Sequence, residues 1–222
     1  FWLPLVTQYG GDVYALDDLT EEGVTWNSEP VVQSLDLLKR LADAGVFVEG
    51  INGITEEQAQ QLFYQGRAAM LFGGSWLPAT IEEQAPEELA NNYSVHPNPA
   101  IEEGGRHWTA NGSGEGWAVN AQSPNRDLAI EFVRYMFSPE VYPNVIAGSQ
   151  NLPSTTNAID QLENEKVQTM ATWLEDGANH ILFGQGSWDA VSNVCQGILD
   201  GTIEPEAGAA QIQQDVEATR QR

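Results

Sequence analysis

An α/β fold, rich in helices with short strands between them, is what this sequence of 222 residues predicts. Three observations carry the expectation. Most of the chain falls into windows where apolar residues recur every three or four positions between capping signals, the pattern of helices packed on one face. Short apolar runs at residues 68–72 and 116–120 border glycines, as strands beside turns do. No repeat or low-complexity tract stands out, and the mixture argues against a barrel or a bundle.

The opening FWLPLV leads into the turn signals of TQYGGD; a short VYAL run follows, and the acidic DDLTEEG reads as a loop. Residues 28–45, SEPVVQSLDLLKRLADAG, predict a helix with a capping serine, proline near its start and a closing glycine. Val31, Leu35, Leu38 and Leu41 share one face of it. Thr55-Glu56-Glu57-Gln58 has the form of a capping box and opens a helix with Ala59, Leu62 and Phe63 inward, stopped by Gly66. Residues 68–72 then read as a buried strand. The pair Gly73-Gly74 reads as a sharp turn, because glycine tolerates backbone angles closed to other residues. That turn would project Trp76 at a sheet's carboxyl edge, where open α/β sheets bind ligands.

Residues 77–90 predict one or two short helices broken at Pro86, and NYSVHPNP a brief strand that ends in a proline-rich loop. The most glycine-punctuated stretch, EEGGRHWTANGSGEGWAVNAQSPN, holds a further strand at GWAVN. Asn125 caps a helix that runs to Phe137, with Leu128, Ala129, Phe132, Val133 and Met136 as its inward stripe. Ser138-Pro139-Glu140 starts another that ends near Gly148. After the loop LPSTTNA, helices are expected at 158–165, 167–176 and 188–200, and EPEAGAAQIQQDVEATRQR makes a last amphipathic one.

Composition limits the partners. With 41% apolar residues, the chain can bury a sizeable core as one large domain or two small ones. Acidic residues number 32 against 9 basic, a formal charge of -23, and Lys39 and Lys166 are the lysines. Such a field repels phosphate backbones and anionic membrane surfaces, which argues against nucleic acid and lipid headgroups. The acids are dispersed over helical faces without the alternating pattern of a calcium loop, so they read as a solvated surface suited to a salt-exposed organism. Cys195 is alone, which leaves no internal disulfide; its apolar setting, SNVCQGIL, reads as a buried, inert thiol. No apolar run approaches the ~20 residues of a membrane span, and no charged-then-apolar leader is present. The chain opens on Phe1, so a processed or truncated start is expected.

Catalytic patterns are weak by comparison. Glu115 in SGEGW would suit a glycosidase, but no second carboxylate shares its setting, and Asp189 or Glu102 would have to be brought to it by folding. His96, His107 and His180 lie far apart with no close cysteine or histidine, so no metal site is expected. GSGEG lacks the lysine-serine ending of a phosphate loop, and no cofactor motif is present. Asn111-Gly112-Ser113 matches a glycosylation acceptor, a three-residue pattern of low specificity. The tryptophans are more informative. Trp76, Trp117 and Trp188 each lie beside glycine and a small polar residue, in GGSWL, GEGWA and GQGSWDA. Rings at such element ends suit a concave surface on which the apolar face of a sugar stacks while Asn, Gln, Glu and Asp bind its hydroxyls.

These residues carry a resemblance. The run from Phe63 to Trp76, Phe-x-x-Gly-Arg-Ala-Ala-Met and then Gly-Ser-Trp, resembles the signature of the sugar-binding group of ABC-transporter substrate-binding proteins. FWLPLVTQYGG is similar to the segment by which maltose-binding-like members enter their second lobe, and GWAVNAQSPNRDLAIEFVRYMFSPE to the strand and helix that return to the first. LPSTTNA and GSWDAVSNVCQGILDGTIEPEAGAAQIQQDV resemble the later loop and final helices. The resemblance implies a type II periplasmic-binding-protein-like α/β fold: a helix-rich lobe with a short-stranded mixed sheet, and an amino-terminal lobe largely absent. Residues 1–112 and 160–222 would form the second lobe, and 113–159 a segment of the first.

It further implies a solute-binding component of an ABC importer, not an enzyme, which captures a sugar or oligosaccharide between two lobes and delivers it to the membrane permease. By position, Trp76 and Trp188 match stacking aromatics, and Glu115, Gly116 and Trp117 lie at the crossing near the cleft. Trp2 and Tyr9 lie by the entering segment, while Asp189 replaces a second aromatic of the maltose-binding relatives. The implied protein is a monomer in the periplasm or outside the cell, with a lipid anchor among the expectations for its full-length form. Competing readings are a glycoside hydrolase and a receptor for a non-carbohydrate solute such as a polyamine or a peptide.

Overall fold

The computed structural model describes residues 2–11, 25–103, 105, 107, 109–111, 116–179 and 185–220. The VYAL run and the DDLTEEG loop lie outside the described residues. The chain divides into two compact units: unit 1 is Phe1–Leu71, Asn98–Gly112 and Asp176–Arg222, and unit 2 is Phe72–Pro97 and Ser113–Glu175.

Unit 1 is built on helices that the sequence specifies locally. Helix α1 (Trp2–Gln8) forms from the opening apolar run, with Pro4 in its first turn, where its missing N–H costs nothing. Helix α2 (Glu29–Asp43) buries Val31, Leu35 and Leu38 as its periodicity requires; Ser28 occupies the cap position, but its side chain makes no capping bond. At α3 (Glu56–Tyr64) the capping box is complete: Gln58 N donates to Thr55 Oγ1 at 3.3 Å and Thr55 N to Gln58 Oε1 at 2.8 Å. The buried side chains of α3 are Gln60 and Tyr64, whereas Ala59, Leu62 and Phe63, expected inward, are half-buried.

Two long late helices of the unit, α9 (Gln185–Leu199) and α10 (Pro205–Arg220), complete its core. Trp2, Leu5, Val6 and Trp26 meet Val31, Leu35, Val194, Ile198, Ile212 and Val216 in one cluster. Trp26 and Trp2 stack with centroids 6.4 Å apart. Polar ties reinforce the packing: Gln213 Oε1 accepts from the backbone N–H of Trp26 at 2.8 Å, and Asn52 Nδ2 donates to Gln196 O at 2.9 Å. The Gln8 side chain accepts from Ile101 N at 2.8 Å and donates to Pro99 O at 3.2 Å, which fastens the 98–101 stretch to the end of α1.

Unit 2 contains α4 (Leu77–Gln84) and α5 (Glu87–Ala90), separated at Pro86 as expected, then α6 (Arg126–Met136), α7 (Tyr142–Ser149) and α8 (Glu165–Ala171). Tyr142, Ile146, Ala158, Leu162 and Val167 form its cluster. Gln150, at a left-handed φ of 53°, ends α7. Its side chain offsets the strain of that conformation, since Oε1 accepts from Glu163 N at 2.7 Å and Asn164 N at 3.1 Å while Nε2 donates to Ala147 O at 2.8 Å. Residues expected as an α-helix at 158–165 form instead a 3-10 turn at Thr156–Gln161, and α8 is continued by another at Thr172–Asp176.

Strands are where the expectation fails most. Among the described residues, β structure is limited to β1 (Thr109–Asn111) and β2 (Gly177–Asn179), paired in parallel with Thr109 opposite Gly177. The short mixed sheet is not present in them. Residues 68–72 are irregular, with Met70 81% and Phe72 52% exposed, and neither NYSVHPNP nor GWAVN is a strand. A strand needs a neighbouring strand for its ladder, and the sheet among the described residues pairs β1 with β2 alone. The inward stripe of α6 is also corrected: the helix buries no residue, and Leu128 is 71% and Phe132 47% exposed.

Candidate functional site

The structure places Trp76 at the cap position of α4, with backbone angles φ -76° and ψ -24°. Local bonds hold that backbone. Leu77 N donates to Gly74 O at 3.1 Å, and Trp76 O accepts from Thr80 N at 3.2 Å and Thr80 Oγ1 at 3.0 Å. The next two residues and Ile81 anchor the helix, since Leu77, Pro78 and Ile81 are buried. Trp76 is therefore held outward by its neighbours' burial and remains 48% exposed.

The glycines ahead of it serve a different purpose from the one expected. Neither Gly73 nor Gly74 has a positive φ, so neither is required for a left-handed turn. Both leave room for a side chain. A Cβ on Gly73 would overlap Leu77 Cδ1 and lie 2.7 Å from its Cγ; one on Gly74 would overlap Trp76 Cζ3 and lie 2.6 Å from Cε3 and Cη2. The indole of Trp76 thus rests against the backbone of Gly74.

Trp188 occupies the first turn of α9 in a comparable setting. Ser187, Ala190 and Val191 are buried around it, while Trp188 is 37% exposed and Asp189 is exposed, accepting from Gln185 Nε2 at 2.8 Å. Gly186 allows the helix start to approach α10, because a Cβ there would overlap Thr219 Cγ2 and lie 3.0 Å from Thr219 Cβ. Trp188 belongs to unit 1 and Trp76 to unit 2. Trp117, also in unit 2, is 62% exposed and meets Phe132 edge-on at 5.9 Å. Gly116 is exposed and Tyr9, at the end of α1, half-buried. Trp2 lies in the core of unit 1 at 6% exposure. Glu115 lies outside the described residues, as do His180 and part of the glycosylation pattern.

Of the remaining groups, His96 Nε2 is 2.8 Å from Ser94 Oγ and His107 Nδ1 is 3.0 Å from Asn98 O. No group of three or more His, Cys, Asp or Glu side chains among the described residues could hold a metal ion. Cys195 packs against the core of unit 1, and burial pushes its thiol up to about 12. Sequence reasoning missed an open groove of about 460 Å³ in unit 2, lined by Glu82, Ala85, Glu87, Ala90, Asn91 and Lys166. Lys166 Nζ lies 4.5 Å above the Tyr93 ring, and Asn164 Nδ2 donates to Glu82 at 2.6 Å while its Oδ1 caps α8. These residues are remote in sequence, so no local pattern could have signalled the groove. Met70 and Phe72, exposed a few residues ahead of Trp76, were missed because an apolar run there was read as buried.

Comparison with known proteins places the chain in a family. The Maltodextrin-binding protein MdxE of Bacillus subtilis (strain 168) is 22% identical over 164 residues, which make up 73% of this chain and 38% of that protein. The maltose/maltodextrin-binding domain MalE of Bdellovibrio bacteriovorus, solved with maltotriose bound, has a TM-score of 0.69 at 20% identity and covers 100% of this chain and 57% of its own. The maltose-maltodextrin binding protein of Alicyclobacillus acidocaldarius has a TM-score of 0.71 at 19% identity, over 98% of this chain and 59% of its own. The fold is that of the type II periplasmic binding proteins, and the chain spans less than half the length of the curated relatives it matches. The profile described as bacterial extracellular solute-binding protein matches residues 1–143, most of the chain, and the chain belongs to that family.

Proposed function

We propose that the protein is the solute-binding component of an ABC importer and that it captures a sugar or oligosaccharide for delivery to a membrane permease. The observation that carries the reading is the open indole of Trp76, held outward by a buried helix start, in a chain of the solute-binding family. An exposed aromatic on a rigid element offers a flat apolar surface without needing to reorganise, which suits a pyranose ring. The relatives named above, a maltodextrin-binding protein and a domain solved with maltotriose, support an α-glucan as the first ligand to test.

In this reading Trp76 and Trp188 stack on sugar rings, and Trp117, Gly116, Glu115 and Tyr9 contribute to the rim. Trp2, buried in the core of unit 1, contributes by packing. Residues 113–159 belong to the first lobe, and 1–112 and 160–222 to the second. The amphipathic α6, which buries none of its own residues, supports that assignment: its apolar stripe calls for a cover. The lobes close over the ligand, and the permease recognises the closed state. No bond is made or broken. The protein acts as a monomer in the periplasm or at the outer cell surface; no helix of the described residues is long and apolar enough to cross a membrane.

A thermal-shift screen of the two-lobed protein against mono- and oligosaccharides tests the reading, since a ligand that prefers the native form raises its melting point. A rise with maltotriose or a related oligosaccharide, with the sugar recovered intact, is expected. Hydrolysed sugar would identify a glycosidase, and a response confined to polyamines or peptides would move the ligand class away from carbohydrate.

A further inference from the structure

We propose that Gly74 is a positioning residue for the Trp76 platform; the inference rests on the sugar-stacking reading above. Its basis is a division of labour between glycines that look equivalent in sequence. Gly74-Ser75-Trp76 and Gly186-Ser187-Trp188 are the same tripeptide. At Gly186 the missing Cβ makes room for Thr219 of α10, so that glycine serves helix packing. At Gly73 it makes room for the buried Leu77. At Gly74 it makes room for the tryptophan ring itself, with Cε3 and Cη2 2.6 Å from where a Cβ would stand.

The surroundings determine what yields when that space is filled. The Trp76 backbone is held by two bonds from Thr80 to its carbonyl and by the Leu77-to-Gly74 turn, and Leu77 and Pro78 are buried. The atoms a Cβ at 74 would meet are the far end of the Trp76 side chain, which yields before the hydrogen-bonded backbone does. A methyl group at 74 therefore swings the ring and leaves the helix in place. One face of the indole is set by the Gly74 backbone and the open remainder is aimed by it. A residue with any side chain there would keep the tryptophan and lose its aim. Gly74 touches no ligand in this account; it acts through Trp76.

Fluorine NMR of protein labelled with 5-fluorotryptophan tests this without a ligand. The Trp76 line, identified by its loss in Trp76→Phe, should move by more than its linewidth in Gly74→Ala while the thermal midpoint stays at the parent value. Gly148→Ala is the control, because a Cβ at that position meets nothing within 4 Å beyond its own helix backbone and chain neighbours; it should leave the line in place. In the two-lobed protein titrated with maltotriose, Gly74→Ala should weaken binding by about the same tenfold as Trp76→Ala. An unmoved line overturns the proposal, as does a moved line with parent affinity. A moved line accompanied by loss of cooperative unfolding also overturns it, since Gly74 would then serve the fold. Absence of any maltotriose response in the parent refutes the α-glucan ligand instead, and the fluorine line still decides the role of Gly74.

Discussion

Replacing Trp76 by alanine is the most direct perturbation of the proposed platform, and its size follows from exposure. An indole side chain offers roughly 250 Å², of which 48% is open at Trp76. That leaves about 120 Å² for contact. A pyranose ring stacked on one face covers about half of it, and ~60 Å² at about 25 cal/mol per Å² is ~1.5 kcal/mol, or roughly a tenfold rise in Kd. Trp188 is 37% open, so the same reasoning gives ~1 kcal/mol and about a sixfold rise. The residues belong to different units, and with each ring stacking independently the double variant should lose about the product of the two factors. Titration calorimetry of the two-lobed protein with maltotriose measures all three. Both single variants binding within twofold of the parent would refute stacking as the source of affinity.

The remaining predictions concern the frame of the site. Thr55→Val removes the acceptor for Gln58 N and should cost ~1 kcal/mol of helix stability, read by thermal denaturation. The Thr55 hydroxyl also holds the Glu57 carboxyl below its ordinary 4.5. That contribution is present above 4.5 and lost as pH falls through the lower folded value, so in Thr55→Val the Glu57 midpoint seen by carbon NMR should rise. Cys195, raised by burial from 9.0 to about 12, should alkylate with iodoacetamide at pH 8 ~1,000-fold more slowly in the native than in the urea-unfolded chain. Its stabilising effect is complete below pH 9 and should be lost as pH rises from there through about 12. Gly186→Ala should destabilise by ~1–3 kcal/mol through overpacking against Thr219, and Thr219→Ala should restore part of that loss in the double variant.

Helices of unit 1 were legible because their information is local and their cover lies within the unit. The stripe of Val31, Leu35 and Leu38 and the capping box at Thr55 each need only a few neighbouring residues to be recognised, and α9 and α10 supply the opposite wall. The stripe of α6 was read with the same periodicity, yet burial is a property of two surfaces, and its sequence specifies just one of them. Strands fared worse for a related reason. Residues 68–72 have strand composition, but pairing requires a distant partner that no local window reveals. Conversely, β1 and β2 pair Thr-Ala-Asn with Gly-Ala-Asn, small and polar segments whose composition carries no strand signal. Gly73 and Gly74 were legible as glycines under constraint, but the constraint is side-chain room rather than backbone angle, which only coordinates distinguish.

The tryptophans show how far flanking residues can report the placement of a ring. Trp2 and Trp26, with no glycine beside them, are 6% and 0% exposed and stack on each other in a core. Trp76, Trp117 and Trp188, each within two residues of a glycine, are 48%, 62% and 37% exposed. A ring is covered partly by side chains near it in sequence, and glycine removes that cover while permitting close backbone approach. At Trp76 the approach supplies a rigid back to the ring; at Trp188 it docks the helix that carries the ring. Leaving such surface in water gives up the stabilisation that a core position would provide, ~25 cal/mol for each Å². Leu77 and Pro78 beside Trp76, and Ala190 and Val191 beside Trp188, are buried while the two indoles are not, and the proposed sugar stacking is what would cover that surface.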